Sequence, residues 1–133
     1  GNVEYVLISS LQLKLEQNLI SKKAVPFRFS EITPFPFSGT PKIVAAILER
    51  SEELMQFQHS AAKCVRAFGI SLERRRFTPH VTLGRLKFGS RKSLVFQPQQ
   101  IFLEGVSEKV VISQSEFAPK GAVYKSLGEI SLM

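Results

Sequence analysis

A histidine and a threonine spaced two residues apart are the pair in this sequence best suited to chemistry. His80 and Thr82 alternate with Val81 and Leu83 in the pattern of a β-strand, and side chains two apart on a strand share a face. An imidazole takes or gives a proton near neutral pH, and a hydroxyl donates a hydrogen bond to an anionic oxygen. The pair therefore predicts proton transfer beside a bound anion, although a lone histidine on a strand is more often structural.

Positive charge is concentrated around this pair. The net charge of the chain is +7, and the segment from Arg74 to Lys92 carries seven basic and no acidic residues, so the rest of the chain is balanced. Such a segment favours a polyanionic partner such as RNA, DNA or a nucleotide. The alternative is that the arginines lie on a solvent-exposed edge and bind nothing. On a regular strand Arg76 shares the face of His80, whereas Arg85 has the opposite parity and needs a twist or a bulge to reach that face.

Length and composition predict one domain of 133 residues with an ordinary core, because 44% of the residues are apolar and 22% are charged. No apolar run is long enough to cross a bilayer. An anionic membrane surface is an open alternative to nucleic acid, but no segment has the pattern of a basic amphipathic helix, so no membrane partner is expected. The single Cys64 fits a reducing compartment, and the cytoplasm is the expected location. Aspartate is absent and no Cys/His cluster occurs, so a zinc site is not indicated and a hard-cation site could use only glutamate carboxylates.

The apolar patterns predict two helices and several antiparallel strands, an α+β domain with helices on sheets. In chain order they are a helix over residues 3–21, a strand over 25–32 that ends in a loop at Pro34, a strand over 42–48, a helix after Ser51 that stops near Gly69, a strand at 80–85, a loop or short helical turn over 87–98, strands at 101–106 and 109–117, and a hairpin strand from Val123. Cys64 falls on the apolar stripe of the second helix and is predicted to be buried, whereas His59 falls on its polar face.

Three segments resemble a known family. Arg76-Phe77-Thr78-Pro79-His80-Val81-Thr82-Leu83-Gly84-Arg85 resembles the second His-x-Thr motif of the LigT-like 2H phosphoesterases, the RNA 2′,3′-cyclic phosphodiesterases also called 2′-5′ RNA ligases. The run from Ser113 to Tyr124 resembles the closing hairpin of that family, and Gly1-Asn2-Val3 resembles the segment just after its first motif. The resemblance thus covers the whole chain.

The resemblance implies a two-lobed fold of antiparallel sheets with flanking helices and one cleft that opens cyclic phosphates on RNA or nucleotides. In the family, one histidine acts as a base on water, the other protonates the leaving ribose oxygen, and no cofactor or metal takes part. Only the second motif carries over, so the resemblance makes His80 and Thr82 catalytic and Arg76 and Arg85 substrate-binding.

The first His-x-Thr motif of the family is missing from this sequence, because His59 is followed by Ser60 and Ala61. The expectation is therefore a single domain over residues 1–133 that is incomplete at its N-terminus and impaired in catalysis. A homodimer through exposed sheet edges is one source of a second histidine. The alternatives are a non-catalytic remnant that binds RNA or nucleotide phosphates, and an inactive domain whose sheet edges drive association.

Overall fold

A computed structural model describes residues 4–19, 23–73, 76–87 and 97–132, and these residues form two helices and six strands. In chain order the elements are α1 (Tyr5–Leu19), β1 (Val25–Phe35), β2 (Ile43–Leu48), α2 (Glu52–Ala67), β3 (His80–Arg85), β4 (Gln99–Ser107), β5 (Lys109–Ala118) and β6 (Gly121–Ser131). The predicted α+β class is confirmed. Neither described helix is long and apolar enough to cross a membrane.

The chain divides into two compact units. The helix–hairpin unit comprises Gly1–Val25, Glu53–Arg74 and Val106–Met133, and the four-stranded unit comprises Pro26–Glu52 and Arg75–Gly105. The first contains both helices and the β5–β6 hairpin, and the second contains nearly all of the four-stranded sheet.

The core of the helix–hairpin unit is built on a four-residue repeat along α1. Leu11, Leu15 and Leu19 are buried on one face of the helix, as the periodicity predicted. They pack with Cys64 of α2 and Ile130 of β6, and partly buried apolar side chains surround this cluster. Helix α1 is therefore held mainly by apolar burial against its neighbours.

Helix α2 begins just after Ser51 and ends as its sequence predicts. Gly69 has a φ of 77°, in the left-handed region that glycine adopts freely, and its N–H donates to the carbonyl of Arg66 at 2.9 Å. Cys64 is 5% exposed and its sulfur accepts a hydrogen bond from the Asn18 amide at 2.8 Å, which confirms the prediction of a buried thiol. His59 is exposed, as predicted.

The β5–β6 hairpin forms a two-stranded antiparallel sheet that runs from the Lys109–Ser131 pair to the Ala118–Gly121 pair. Gly121 has a φ of 126° at the turn, where a side chain would be strained. The predicted hairpin is thus confirmed, and its last strand is longer than expected.

The four-stranded sheet has the order β3-β2-β1-β4, with β1–β2 and β2–β3 antiparallel. Strand β1 continues through Pro34 to Phe35, so the prediction of a loop at Pro34 was wrong. Pro34 lies opposite Val44, one residue before the strand ends, where the missing N–H removes little of the ladder. The predicted loop over 87–98 falls largely on residues 88–96, outside the described residues.

Candidate functional site

Strand β3 carries the predicted pair at one end of the strand order of its sheet. His80 and Thr82 are both exposed. The preceding Pro79 is buried, and its carbonyl accepts a hydrogen bond from the N–H of Leu48 at 3.0 Å. Pro79 has no N–H, so its carbonyl is the backbone group that ties the start of β3 to β2. The side chains of β3 that follow are exposed.

One nitrogen of the His80 ring is already engaged. Nδ1 lies 2.7 Å from the carbonyl oxygen of Thr78. A carbonyl oxygen only accepts hydrogen bonds, so Nδ1 must carry the proton in this contact. Nε2 is then the nitrogen left for chemistry: it accepts a proton when the ring is neutral and donates one when the ring is charged.

The His80 ring also stacks on an aromatic ring from another strand. The centroids of His80 and Phe35 lie 4.6 Å apart with an angle of 28° between the planes. Offset stacking at such distances adds to the stability of the contact beyond the buried area. The backbone carbonyl and the stacked ring together fix the orientation of an otherwise exposed imidazole.

The register of β2 explains how these two rings can meet. His80 lies opposite Ile47, and Thr82 opposite Ala45, so both side chains share one face with those of Ile47 and Ala45. On the other side of β2, Thr33 lies opposite Ala45 and Phe35 opposite Ile43. Ala45 is 0% and Thr33 5% exposed. The row that contains these two small residues lies between the row of Phe35 and the row of His80, and small side chains there favour contact between the two rings.

A β-bulge in β3 changes the parity of Arg85. Gly84 lies opposite Val44 and Thr82 opposite Ala45, so Leu83 is an extra residue in β3. Beyond the bulge Arg85 lies opposite Ile43, which shares a face with Ala45 and Ile47. Arg85 therefore emerges on the His80 face, which a regular strand would not allow.

Arg76 is placed differently. It is exposed but precedes β3, because residues 76–79 are not part of a strand, and so the parity argument for Arg76 does not apply. Of the other basic residues predicted around the site, Lys87 is exposed, and Arg74, Arg75, Arg91 and Lys92 lie outside the described residues.

The face that carries His80 combines groups suited to an anion. It holds the His80 imidazole, which is bonded to Thr78 through Nδ1, together with the hydroxyl of Thr82 and the guanidinium of Arg85. These groups can bind phosphate oxygens through charge-assisted hydrogen bonds. Glu31, opposite Ile47, is the one carboxylate on this face among the paired residues of β1, β2 and β3. Within the described ranges, no three His, Cys or Glu side chains group as metal ligands.

A separate groove of about 530 Å³ lies in the same unit, away from these residues. Arg28 lines it and forms ion pairs with Glu104 at 3.2 Å and Glu49 at 3.9 Å. Since the two carboxylates outnumber the guanidinium, this groove is poorly suited to a phosphate. The His80 face is the better candidate.

Sequence reasoning missed Phe35 as a member of the site. The sequence shows an aromatic stripe of Phe27, Phe29, Phe35 and Phe37, and these residue types favour core packing over the alternative of stacking on bases. Residues 35 and 80 are far apart in the chain, and only the strand pairing brings their rings together.

Comparisons with known proteins agree with this picture. The profile of the family described as LigT like phosphoesterase matches residues 46–97, which include β3. No curated protein matches the sequence with significance.

Solved structures match the chain over nearly its full length. TT0787 from Thermus thermophilus is 26% identical with a TM-score of 0.78, and the match covers 99% of this chain and 73% of TT0787. E. coli LigT in complex with 3′-AMP is 18% identical with a TM-score of 0.77, covering 100% of this chain and 72% of LigT. The NADP⁺ complex of E. coli LigT is 17% identical with a TM-score of 0.72, and the match covers 100% of this chain and 72% of LigT. The predicted resemblance is confirmed: this chain is similar to the LigT-like phosphoesterases in sequence over residues 46–97 and in fold over almost its whole length.

Proposed function

We propose that this protein acts on RNA or nucleotides that end in a 2′,3′-cyclic phosphate, as an RNA 2′,3′-cyclic phosphodiesterase of the LigT-like, 2′-5′ RNA ligase-like kind. The observation that carries this proposal is the 2.7 Å contact between Nδ1 of His80 and the carbonyl of Thr78, which leaves Nε2 as the nitrogen for proton transfer. Thr82 and Arg85 share its face.

Opening a cyclic phosphate by hydrolysis requires two proton transfers. Water attacks phosphorus and loses a proton, one P–O bond to the ribose breaks, and the released ribose oxygen gains a proton. The Nε2 of His80 performs one of these transfers. The hydroxyl of Thr82 and the guanidinium of Arg85 bind the non-bridging oxygens, and Arg76 contributes positive charge before the strand.

The comparisons support a nucleotide phosphate as the ligand. E. coli LigT, whose fold this chain shares, has been crystallised with 3′-AMP and with NADP⁺. The local +7 charge between Arg74 and Lys92 also favours an anionic partner.

Turnover by this chain is expected to be slow, because its sequence supplies one His-x-Thr and the reaction uses two proton-transfer groups. The loss of one general acid or base typically costs about 10²–10⁴-fold in rate. The same observation favours a second candidate function, the binding of RNA or nucleotide phosphates without turnover. A homodimer that supplies a second histidine belongs to the catalytic proposal, and the cytoplasm is the proposed location.

The first prediction concerns His80. We expect slow hydrolysis of adenosine 2′,3′-cyclic phosphate by the chain, and we expect His80→Ala to lower the rate by about 10²–10⁴-fold because it removes the proton-transfer group. The assay is product formation followed by chromatography, with His59→Ala as the matched control, since His59 is the other histidine and is exposed on α2.

Equal rates in the two variants would contradict a catalytic role for His80. If the wild-type chain shows no turnover, the binding of 3′-AMP decides between the candidates. Binding that His80→Ala abolishes and that weakens steeply with salt supports the phosphate-binding function. Binding that neither His80→Ala nor salt affects contradicts both candidates.

A further inference from the structure

The stack on His80 continues to a third ring. Phe35 contacts both His80 and Phe37, and the Phe35 and Phe37 centroids lie 5.3 Å apart with their planes at 85°. We call these three residues the aromatic ladder. Its members are His80 on β3, Phe35 at the end of β1, and Phe37 just beyond the last residue of β1.

Phe37 has a location that packing alone explains poorly. It is 63% exposed and belongs to the bend that follows β1. Phe35, by comparison, is half-buried between its two neighbours. An exposed phenylalanine adds little apolar burial to the stability of the fold. Its ring is, however, a flat apolar surface on which another flat ring can stack.

The layout of the ladder matches the layout of a nucleotide. In a nucleotide the ribose links the phosphate to the base, and in the ladder Phe35 contacts both His80 and Phe37 and so links them. Arg85 and Phe35 lie opposite Ile43 from its two sides, so the cationic residue and one ring of the ladder occupy the same row of the sheet. A base attached to a phosphate at His80 and Arg85 can therefore lie along the ladder, where Phe37 is the exposed phenylalanine.

We propose that Phe37 is a stacking platform for the nucleobase of the ligand whose phosphate binds at His80, Thr82 and Arg85. This proposal rests on the proposed function of that face and adds the residue that binds the base of the ligand. Stacking on an aromatic side chain tolerates any base, because every base presents a π-face. The platform thus selects for nucleotides without selecting a sequence.

The test compares a ligand that has a base with one that lacks it. Binding of 3′-AMP and of inorganic phosphate is measured by NMR titration, with the His80 ring signals as the reporter. We expect Phe37→Ala to weaken 3′-AMP binding by about 5- to 100-fold, the range typical for the loss of one stacked base, and to leave phosphate binding unchanged.

Three further variants separate stacking from packing. Phe37→Leu keeps an apolar side chain but lacks a π-face, so it should behave like Phe37→Ala, whereas Phe37→Tyr should retain wild-type affinity. Phe102→Ala is the matched control, because Phe102 is 92% exposed in the same unit but lies on β4. It should change neither affinity.

The outcomes distinguish this proposal from the proposed function on which it rests. Wild-type affinity for 3′-AMP in Phe37→Ala, or an equal loss for both ligands, overturns the platform while the phosphate site stands. Retention of 3′-AMP affinity in Phe37→Leu likewise overturns it. If neither ligand perturbs His80 in the wild-type chain, the phosphate site fails and the platform fails with it.

Discussion

At the scale of single residues, the candidate site depends on charges that one face of a sheet brings together. Arg85 and Glu31 both lie on the face that carries His80, and their charges are opposite. A bound phosphate is attracted by the first and repelled by the second. Substitutions that remove each charge should therefore move phosphate affinity in opposite directions.

We expect Arg85→Gln to weaken the binding of inorganic phosphate by about tenfold, because the exposed guanidinium loses its hydrogen bonds to a charged ligand. Glu31→Gln should strengthen binding by a smaller factor. Both are measured by NMR titration at constant ionic strength. Lys120→Gln, in the exposed turn between β5 and β6, is the control for the loss of one positive charge. If Arg85→Gln matches that control, the bulge does not bring Arg85 into the site.

At the scale of elements, β2 is the strand that organises the site although it supplies none of the reactive groups. Its alternating residues face two different environments: Ala45 shares the face of Phe35 and His80 in the row between theirs, and Ala46 faces the other side of the sheet. Both alanines are buried. They therefore provide two matched positions for substitution, and a larger side chain should disturb the site only at position 45.

We expect Ala45→Leu and Ala46→Leu each to lower the free energy of unfolding by about 1–3 kcal/mol, since extra methyl groups must be forced into a packed region. Only Ala45→Leu should separate the two rings. Urea denaturation gives the stability, and nuclear Overhauser contacts between the Phe35 and His80 rings give the geometry. Rings that stay in contact in Ala45→Leu would show that the space above this small residue is not what allows the stack.

The elements also show what the sequence could predict. Alternation predicted the strands around His80, and apolar residues at helical spacing predicted both helices, because those patterns reflect local burial. The continuation of β1 through Pro34 and the bulge at Leu83 were not predictable, since both depend on the pairing partner. Strand parity alone gave Arg85 the wrong face, and it could not place Arg76, which lies before the strand.

At the scale of the whole molecule, the two units differ in what they bury. The helix–hairpin unit buries large side chains such as Leu19 and Ile130, whereas the buried residues of the sheet around β2 include the small Ala45 and Ala46. Exposed apolar side chains occur on strands of both units, among them Phe102 and Phe117. Exposed apolar strands promote pairing between chains. The homodimer stays a prediction, and such pairing is the form of it that can be tested.

We expect the chain to associate with increasing concentration and Phe117→Lys to reduce that association, because lysine on an exposed strand blocks edge pairing. Light scattering after size-exclusion chromatography measures the mass. Val6→Lys is the control, since Val6 is also exposed and apolar but lies on α1. A monomer at every concentration would contradict the dimer.

The exposed ring at the end of the aromatic ladder has a practical consequence. The chain contains no tryptophan, so Phe37→Trp would introduce a single indole fluorophore at the proposed base platform. Its emission in the free protein would be that of a solvated indole, because position 37 is largely exposed. A nucleobase that stacks on the indole would quench this emission, whereas inorganic phosphate would not. The protein would then report optically on which part of a ligand arrives at its surface.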